Sequence, residues 1–418
     1  MKIVLVSDDF PPIRESSVAS VAFNLARGLL DRGHEVSAIT RVEEESQAGE
    51  MVYEGIKIFK IHLPDYHVRW QAWRSLSNPK AVKEIKSILE SIKPDVTHFH
   101  NIHKYISYRS FKIAKQHSRS VFLTTHDVML FHYSKFKEFI NEKNPAVQKD
   151  FNYKVNPWML IKRFKRRYNP FRNMIIRHYV KYLDKIFAVS QELKKALAQN
   201  NIKNVEVVNN GLDAGDWIVS DSKIGEFKDK LCLQGKKIVL FGGRLSALKG
   251  GELIVKSMAI VSQRIPESVL LVLGDENDYA RYLAKLAKSL GIRLVFTGWI
   301  NGNDLKAAYH ASDLAVTPSI CLDTFNLMNL EAMAAKKPVV GTCFGGTPEI
   351  VVDNVTGFIV NPYDIQSMAG KIIYLLENPE IAKNFGQAGY LRAKENFSLE
   401  HQLTETINWY EKSILSHQ

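Results

Sequence analysis

Two carboxylates eight residues apart, Asp323 and Glu331, carry the strongest chemical signal in this 418-residue chain. Phe325 and Asn326 follow the first acid and are predicted to open a short amphipathic helix. A helix N-terminus presents unpaired N–H groups and a partial positive charge, so it suits a phosphate or pyrophosphate. Eight helical residues would rise about 12 Å, which is the reach of a nucleotide-sugar from its sugar to its ribose. Taken alone, the pattern equally fits a surface helix with two ordinary acids.

A second segment, FGGRLSALKG at 241–250, places two fixed cations after a predicted strand. These are Arg244 and Lys249, and the preceding glycines, including Gly243, let the backbone approach a ligand closely. A departing nucleoside diphosphate gains negative charge, which two cations and a helix N-terminus would stabilise without a metal ion. The alternative is that both residues are surface charges after a strand turn.

The net charge of +12 is concentrated in residues 101–200, where 21 basic residues face 6 acidic ones. The densest run, at 158–181, interleaves its cations with Trp and Phe, which favours a surface for anionic lipid or a pyrophosphate-linked acceptor. A solvated helix with its aromatic residues in the core explains the run equally well. No recognition motif accompanies the charge, so no nucleic-acid partner is expected. The predicted patch consists of Lys162, Arg163, Lys165, Arg166, Arg167 and Arg172.

Three cysteines without CxxC spacing, Cys232, Cys321 and Cys343, predict packing residues in a reducing compartment rather than disulfides or a zinc site. The first residues, MKIVLVSDDFPP, enter a buried strand directly, with no export signal or long apolar span. We therefore expect a cytoplasmic protein, peripheral on the inner face of the plasma membrane.

Apolar β-like runs alternate with helical stretches up to residue 210, and the alternation restarts with KIVLFGG at 236. Strands alternating with helices predict parallel sheets, and two such series predict two doubly wound α/β domains. Ligands of such domains bind at the carboxyl ends of the strands. We place the N-terminal domain at 1–212, the C-terminal domain at 213–396, and a helix at 397–418 that packs back on the N-terminal domain.

In order and spacing, the motifs resemble those of the family 4 glycosyltransferases of the GT-B fold. The resemblance covers nearly the whole chain, and the joint order of the motifs carries it. They are RGHEV (32–36), PDVTHFHN (94–101), TTHD (124–127), FAVS (187–190), VVNNGLD (207–213), FGGRLSALKG (241–250), VLGD (272–275), FTGW (296–299) and the Asp323/Glu331 segment.

The resemblance implies two Rossmann-like domains facing across a cleft and a retaining, metal-independent transferase that needs no cofactor. It would move a hexose-type sugar from a nucleotide diphosphate sugar, with UDP as our first choice, to a saccharide or lipid-linked acceptor. Cell-surface polysaccharide or glycolipid synthesis would be its setting. The chain contains no Asp-x-Asp, the mark of metal-dependent GT-A transferases.

For the donor site, the resemblance implies that Arg244 and Lys249 bind the diphosphate as a clamp. It also implies that Glu331 accepts hydrogen bonds from the ribose hydroxyls. Asp323 stands where the family usually has Glu, in contact with the donor sugar, and is one methylene shorter. Backbone N–H groups from Thr324, Phe325, Asn326 and Leu327 would bind the diphosphate. Gly298 and Trp299 would lie near the base, although Trp299 is equally expected in the core.

In the N-terminal domain, Ser16 and Ser17 replace the glycine pair of the family's phosphate-side loop. His126 follows a predicted strand, and the resemblance places it against the donor sugar. One of His98 and His100 is expected to face the acceptor and the other the core, and we assign the acceptor to His98. The spacing of these histidines with His103 suggests zinc only weakly, because no cysteine or acid completes a site.

Two other functions stay open on the sequence. The first is a transferase of the same fold that uses a small soluble acceptor. The second is a catalytically degenerate binding or scaffold protein, as the replaced glycine pair and the shorter Asp323 would allow. Fold alone does not decide between them.

Overall fold

The computed structural model describes residues 1–416, which form two compact units. Unit 1 comprises Met1–Ser134, Asn152–Gly211 and the residues from Leu399 onward, and unit 2 comprises Lys135–Phe151 and Leu212–Ser398. The predicted domain boundary after residue 212 lies beside the observed change of unit at Gly211. Residues 135–151 are different, because the sequence placed them in the N-terminal domain whereas they cluster with unit 2. No local pattern in the sequence indicated this exchange.

Within the described residues, unit 1 is built on an eight-stranded sheet in the order β3-β4-β2-β1-β5-β6-β7-β8. All neighbouring strands are parallel except β3 and β4, which pair antiparallel. The central strands are buried along nearly their whole length, as expected for a sheet covered on both faces. The strands are β1 Lys2–Ser7, β2 Glu35–Val42, β3 Gly49–Tyr53, β4 Ile56–His62, β5 Val96–Phe99, β6 Ser120–Thr125, β7 Lys185–Ala188 and β8 Val205–Val207.

The helices of unit 1 are α1 Ser17–Asp31, α2 Val68–Arg74, α3 Pro79–Ile92, α4 Ser110–His117, α5 Pro157–Phe164, α6 Arg172–Tyr179, α7 Gln191–Gln199 and, from the C-terminal segment, α16 Leu399–Leu415. Helices α1, α3, α4, α7 and α16 contact strands of this sheet. Helix α16 packs against α1, where Gly28 leaves room for Leu403: a Cβ at Gly28 would lie 2.3 Å from the Leu403 Cδ1. Tyr410 of the same helix is fully buried in the core of unit 1.

Among the described residues, unit 2 contains a six-stranded parallel sheet in the order β11-β10-β9-β12-β13-β14. Its strands are β9 Lys237–Gly242, β10 Ser268–Leu273, β11 Leu294–Phe296, β12 Leu314–Thr317, β13 Val339–Thr342 and β14 Gly357–Val360. Its helices are α8 Asp221–Lys230, α9 Gly251–Arg264, α10 Asp278–Ser289, α11 Gly302–Ala311, α12 Leu327–Ala334, α13 Thr347–Ile350, α14 Ile365–Glu377 and α15 Pro379–Asn396.

The prediction of two α/β units with parallel sheets is confirmed. Each β-like run predicted from the sequence contains an observed strand. The β3–β4 pair was not predicted: Glu54 and Gly55, both at positive φ, form its turn, and its outer strand is largely exposed. Exposed edge strands carry charged residues and lose the apolar signal of a buried strand, so the sequence pattern did not reveal this one.

Candidate functional site

The Asp323 carboxylate lies in a polar cluster after strand β12. Its Oδ2 accepts a hydrogen bond from the Lys249 ammonium at 2.6 Å and another from the Ser319 hydroxyl at 2.8 Å. The Lys249 and Asp323 side chains are only 17% and 13% exposed. Two of the residues predicted for the donor site, from strand ends far apart in sequence, therefore meet. Ser319 was not predicted to take part.

Glycines hold the backbone around this cluster. Gly250, which follows Lys249, has a φ of 78° and packs tightly against the loop that contains Pro318. A Cβ at this position would lie 2.0 Å from the Pro318 carbonyl oxygen. Gly345, at φ 71°, approaches Asp323 so closely that a Cβ would lie 2.3 Å from the Asp323 carbonyl oxygen. The same oxygen accepts a hydrogen bond from the Gly346 N–H at 2.9 Å. Only glycine fits both positions without strain.

The Asp323–Lys249 pair is ionised at neutral pH. Burial disfavours the charge on Asp323, but the Lys249 ammonium outweighs burial and lowers the pKa of the carboxyl below its usual value. Burial likewise works against the Lys249 charge, and Asp323 outweighs it and raises the pKa of the ammonium. Each group thus holds the other in its charged form. Asp323 is available as a fixed negative charge and not as a proton donor.

Helix α12 begins at Leu327, with Asn326 as its N-cap, whose Oδ1 accepts a hydrogen bond from the Met328 N–H at 3.2 Å. The predicted all-helical path from Asp323 to Glu331 is therefore wrong, because residues 323–326 precede the helix and the 12 Å rise does not apply. Thr324, Phe325 and Asn326 are buried, and Asn326 adopts an ordinary extended backbone. The sequence did not show where the cap would fall.

The Glu331 carboxylate accepts a short hydrogen bond from the Tyr309 hydroxyl of α11. Burial raises the pKa of Glu331, and the hydrogen bond from Tyr309 counters part of that rise. Tyr309 is itself fully buried and packs edge to face on Trp217, with ring centroids 5.3 Å apart. Sequence reasoning missed Tyr309, since nothing in its local pattern distinguishes it from a core tyrosine. It fixes the orientation of Glu331.

The remaining predicted donor residues of unit 2 lie at neighbouring strand ends. Gly274, after β10, forms a bridge with Gly298 and leaves only 2.8 Å between its own Cβ position and the Gly243 carbonyl oxygen. Arg244 is exposed and forms no salt bridge with any of residues 1–416. Trp299 is 59% exposed, so the alternative of a core aromatic residue is wrong. An exposed indole beside a strand end is available to a ligand.

In unit 1, Ser16 is the N-cap of α1, where its hydroxyl accepts a hydrogen bond from the Ala19 N–H at 3.2 Å. Ser17 is exposed in the first turn of the same helix. The pair that replaces the family's glycines thus forms an ordinary helix start. Capping by serine accounts for Ser16 without any ligand.

The assignment of His98 to the acceptor is wrong. His98 is fully buried in β5, with its Nδ1 2.5 Å from the Tyr410 hydroxyl and its Nε2 2.8 Å from the Thr124 hydroxyl. His100 is also buried and stacks on His98, with ring centroids 4.6 Å apart. His100 follows the end of β5 and is as deeply buried as His98, so burial does not distinguish the two histidines.

His126 lies at the end of β6, partly exposed, with its Nε2 3.0 Å from the Nδ1 of His100. Burial lowers the pKa of His126 to about 4, and the Asp127 carboxylate offsets only part of that effect. The imidazole is therefore neutral at pH 7 and can donate or accept a hydrogen bond. Its predicted role toward a donor sugar stays a prediction.

Asp8, directly after β1, was not singled out by the sequence analysis. Its carboxylate accepts hydrogen bonds from the backbone N–H groups of Lys104, Tyr105 and Ile106, at 2.9, 3.2 and 2.8 Å. It thereby fixes the loop that follows β5. Its position at a strand end of a doubly wound sheet was the available signal.

We expect His98→Asn to destabilise the protein most at neutral pH. Burial lowers the pKa of His98 to about 3, whereas an unfolded histidine titrates near 6.5. As pH falls below about 6.5, His98 becomes protonated in the unfolded wild type but stays neutral in the folded protein. The free energy of unfolding of the wild type therefore decreases by about 1.4 kcal/mol per pH unit. The variant lacks this loss. Urea unfolding at several pH values should show the difference in stability shrinking as pH falls from about 6.5 to about 3.

A constant difference in unfolding free energy across this pH range would contradict a buried, neutral His98. His62→Asn, at a partly exposed histidine of β4, is the matched control and should cost less stability at neutral pH than His98→Asn, because less of its imidazole is buried.

Five of the six cations of the predicted patch are exposed, namely Lys162, Arg163, Lys165, Arg166 and Arg167. Arg172 is the exception and the prediction for it is wrong. Its side chain is fully buried, and the guanidinium donates to the Met129 carbonyl oxygen and, at 3.2 Å, to the Asn173 side chain. Arg172 therefore braces the interior of unit 1.

Within residues 1–416, no helix has the length and apolar character required to cross a membrane. Among the same residues, no group of three or more His, Cys, Asp and Glu side chains is arranged to hold a metal ion.

Comparison with known proteins matches the sequence of this chain to glycosyltransferases. A model of family 4 glycosyltransferases matches residues 18–216, and a model of group 1 glycosyl transferases matches residues 223–392. An uncharacterised glycosyltransferase of Methanocaldococcus jannaschii is 27% identical over 424 residues, covering 98% of each chain.

Solved structures show the same fold. Sucrose-phosphate synthase from Thermosynechococcus elongatus aligns with a TM-score of 0.78 at 20% identity over 99% of each chain. The Anabaena protein HepE, in complex with UDP and glucose, aligns with a TM-score of 0.73 at 18% identity over 99% of this chain and all of HepE. The fold and the matches define a GT-B glycosyltransferase.

The family 4 and group 1 models together match most of this glycosyltransferase, each over less than half of its length. It is an enzyme that transfers a glycosyl group.

Proposed function

We propose that the chain transfers a hexose-type sugar from a UDP-sugar, with retention and without a metal ion, to a saccharide or lipid-linked acceptor. Cell-surface polysaccharide or glycolipid synthesis is the setting that we propose. The observation that carries the proposal is the ionised Asp323–Lys249 pair at the end of β12, with the free cation Arg244 on the neighbouring loop. Similarity to HepE, which was solved with UDP and glucose, supports UDP as the nucleotide.

The leaving group is the part of the donor that needs stabilisation. As the bond between the anomeric carbon and the diphosphate breaks, negative charge grows on the diphosphate oxygens and positive charge grows on the sugar. Arg244 and Lys249 would bind the former, and the Asp323 carboxylate, which is ionised at neutral pH, would stabilise the latter. Preorganised charges of this kind need no reorganisation during the reaction. The departing diphosphate would accept the proton of the acceptor hydroxyl on the same face of the sugar, which gives retention.

An interfacial surface on unit 1 supports a membrane-bound acceptor. The exposed cations of α5 and of the turn after it are close in sequence to Trp158, which is 78% exposed, and Phe171, which is 63% exposed. Helix α2 packs against the turn at 165–167 and adds the exposed Trp70 and Trp73. Aromatic rings interleaved with Lys and Arg suit the headgroup region of an anionic bilayer. We therefore propose that unit 1 docks on the inner face of the plasma membrane.

Neutralising three of these cations, Lys162→Gln, Arg163→Gln and Arg166→Gln together, should reduce binding to anionic vesicles by about 100-fold. Each basic residue near such a surface contributes about 1 kcal/mol. Co-sedimentation with vesicles containing phosphatidylserine measures the effect, and neutral phosphatidylcholine vesicles should bind weakly in both cases.

The matched control removes three exposed lysines of unit 2, Lys230, Lys285 and Lys288, and should bind like the wild type. If both triple variants lost vesicle binding equally, the effect would be due to net charge and not to this surface. If the wild type did not bind the vesicles, a soluble acceptor would be the better explanation.

A turnover screen tests the proposed reaction. Purified protein would be incubated with UDP-, GDP-, ADP- and dTDP-sugars, with and without EDTA, and release of nucleoside diphosphate would be followed. We expect one UDP-sugar to be turned over equally well in EDTA. Preference for another base would correct the nucleotide, loss of activity in EDTA would contradict metal independence, and no binding or turnover with any donor would favour a scaffold function.

A further inference from the structure

Residues 135–151 form a segment of unit 2 although the chain on both sides belongs to unit 1. The Phe136 carbonyl oxygen accepts a hydrogen bond from the Leu322 N–H at 2.7 Å, directly beside Asp323. Further along, the Asn361 side-chain amide donates to the carbonyl oxygens of Asn144 and Ala146 at 2.7 and 2.8 Å. The segment is thus attached near its start to the loop that carries Asp323, and further along to the residue that follows β14.

Aromatic packing reinforces this attachment. Phe139 and Phe151 pack on Phe344, with ring centroids 6.1 and 5.8 Å away, and Phe136 is only 2% exposed. Phe344 precedes the Gly345 turn that cradles Asp323. Burial of Phe136 and Phe151, with Phe139 half-buried beside them, makes the segment a stable part of unit 2 and not a loosely attached loop.

Lys135 is the first residue of this segment, and its ammonium is an unusual group. The Nζ atom is buried and has no hydrogen-bond partner among residues 1–416. Burial lowers the pKa of Lys135, and the nearby Lys249 and Arg244 lower it further, while Cys321 and Asp323 act in the opposite direction. A desolvated ammonium without a partner, beside two other cations, is costly in the ligand-free protein.

The charges around Lys135 do not balance. Lys249 is already paired with Asp323 at 2.6 Å, which leaves Lys135 and Arg244 as the cations of the cluster without a carboxylate. A nucleotide-sugar diphosphate is doubly anionic. It would supply the missing counter-charge and the missing hydrogen-bond acceptors together.

We propose that Lys135 is a third phosphate-binding cation of the donor site, brought to it by the 135–151 segment. Its ammonium would donate hydrogen bonds to the diphosphate oxygens of the bound nucleotide-sugar, alongside Arg244. The charge of Lys249 is partly neutralised by Asp323. Lys135 would therefore supply additional positive charge to the phosphates. This inference rests on the proposed function, because it names a further residue of the same donor site.

Calorimetric titration with UDP and with uridine tests the inference. Lys135→Met keeps the length and apolar stem of the side chain and removes its charge. We expect UDP to bind about 10- to 100-fold more weakly to this variant, the usual cost of a lost hydrogen bond to a charged group. Uridine, which lacks phosphate, should bind as it does to the wild type. Lys135→Arg should recover most of the affinity for UDP.

Lys137→Met is the matched control. Lys137 lies on the same segment, and its ammonium is 3.0 Å from the Glu142 carboxylate on the surface. Its removal should change the affinity for UDP by less than about twofold, as is usual for an exposed ion pair.

Three outcomes overturn the inference: unchanged UDP affinity in Lys135→Met, equal weakening of UDP and uridine, or equal effects of Lys135→Met and Lys137→Met. If the wild type binds no UDP at all, the proposed nucleotide fails separately. Titration with inorganic diphosphate then decides, since binding that is lost in Lys135→Met supports the anion site and absence of binding overturns it.

Discussion

Lys249→Met should lower turnover of the best donor by about 100- to 1000-fold, the usual effect of removing one preorganised charge from a transition state. In the proposed mechanism, the ammonium lost is one of the two cations that bind the growing charge of the leaving group. The change also leaves the Asp323 carboxylate largely buried without its ion-pair partner, so its pKa should rise. The acid limb of the pH–rate profile should therefore move to higher pH, because Asp323 becomes protonated earlier as pH falls. Initial rates from pH 4 to pH 9 measure both effects.

Lys256→Met is the control for this prediction. Lys256 pairs with Glu252 at the same distance of 2.6 Å, but its side chain is 42% exposed on the surface of α9. Exposed ion pairs contribute little, so the control should retain wild-type rates and an unchanged pH profile. Rates of Lys249→Met within about threefold of the wild type would contradict the assignment of the clamp.

Glu331→Gln should weaken binding of UDP by about 10- to 100-fold, because a carboxylate accepts hydrogen bonds from hydroxyls more strongly than an amide does. The structure adds that Tyr309 already binds one carboxylate oxygen, so Glu331 is held in one orientation. Because the contact that we predict is to ribose, uridine and UDP should lose affinity equally. This pattern is opposite to that expected for Lys135→Met. Calorimetric titrations with both ligands measure it.

The surface carboxylate Glu380, at the start of α15, gives the control Glu380→Gln, which should bind both ligands normally. Tyr309→Phe should lower affinity less than Glu331→Gln does, since it only releases the orientation of the carboxylate. Loss confined to UDP in Glu331→Gln would place Glu331 at the phosphates and contradict the ribose assignment.

Much of the fold was predictable because its signal is local. Buried parallel strands are continuous apolar runs, and each predicted run contains a strand of one of the two sheets. The segment at 135–151 had no such signal. Its attachment depends on contacts such as Phe139 with Phe344, which are distant in sequence, and only the folded chain brings them together.

The candidate site was predictable where chemistry and position coincide, as for Asp323 and Lys249 at strand ends. It was not predictable where burial decides. His98 and Arg172 are polar residues of the kind that sequence reasoning assigns to function, yet both are fully buried and serve packing through hydrogen bonds. Tyr309 and Lys135 are the converse, since only their neighbours in the fold distinguish them from ordinary residues.

Calorimetric titration of UDP into the wild type and into Arg244→Ala, both in EDTA, tests the central claim most directly. Arg244 is exposed and forms no salt bridge among the described residues, so its removal should leave the fold intact. We expect saturable binding at a single site without a divalent ion, and affinity at least about tenfold lower in the variant. Absence of saturable binding to the folded wild type, or equal affinity in both proteins, would contradict a donor site at this cluster.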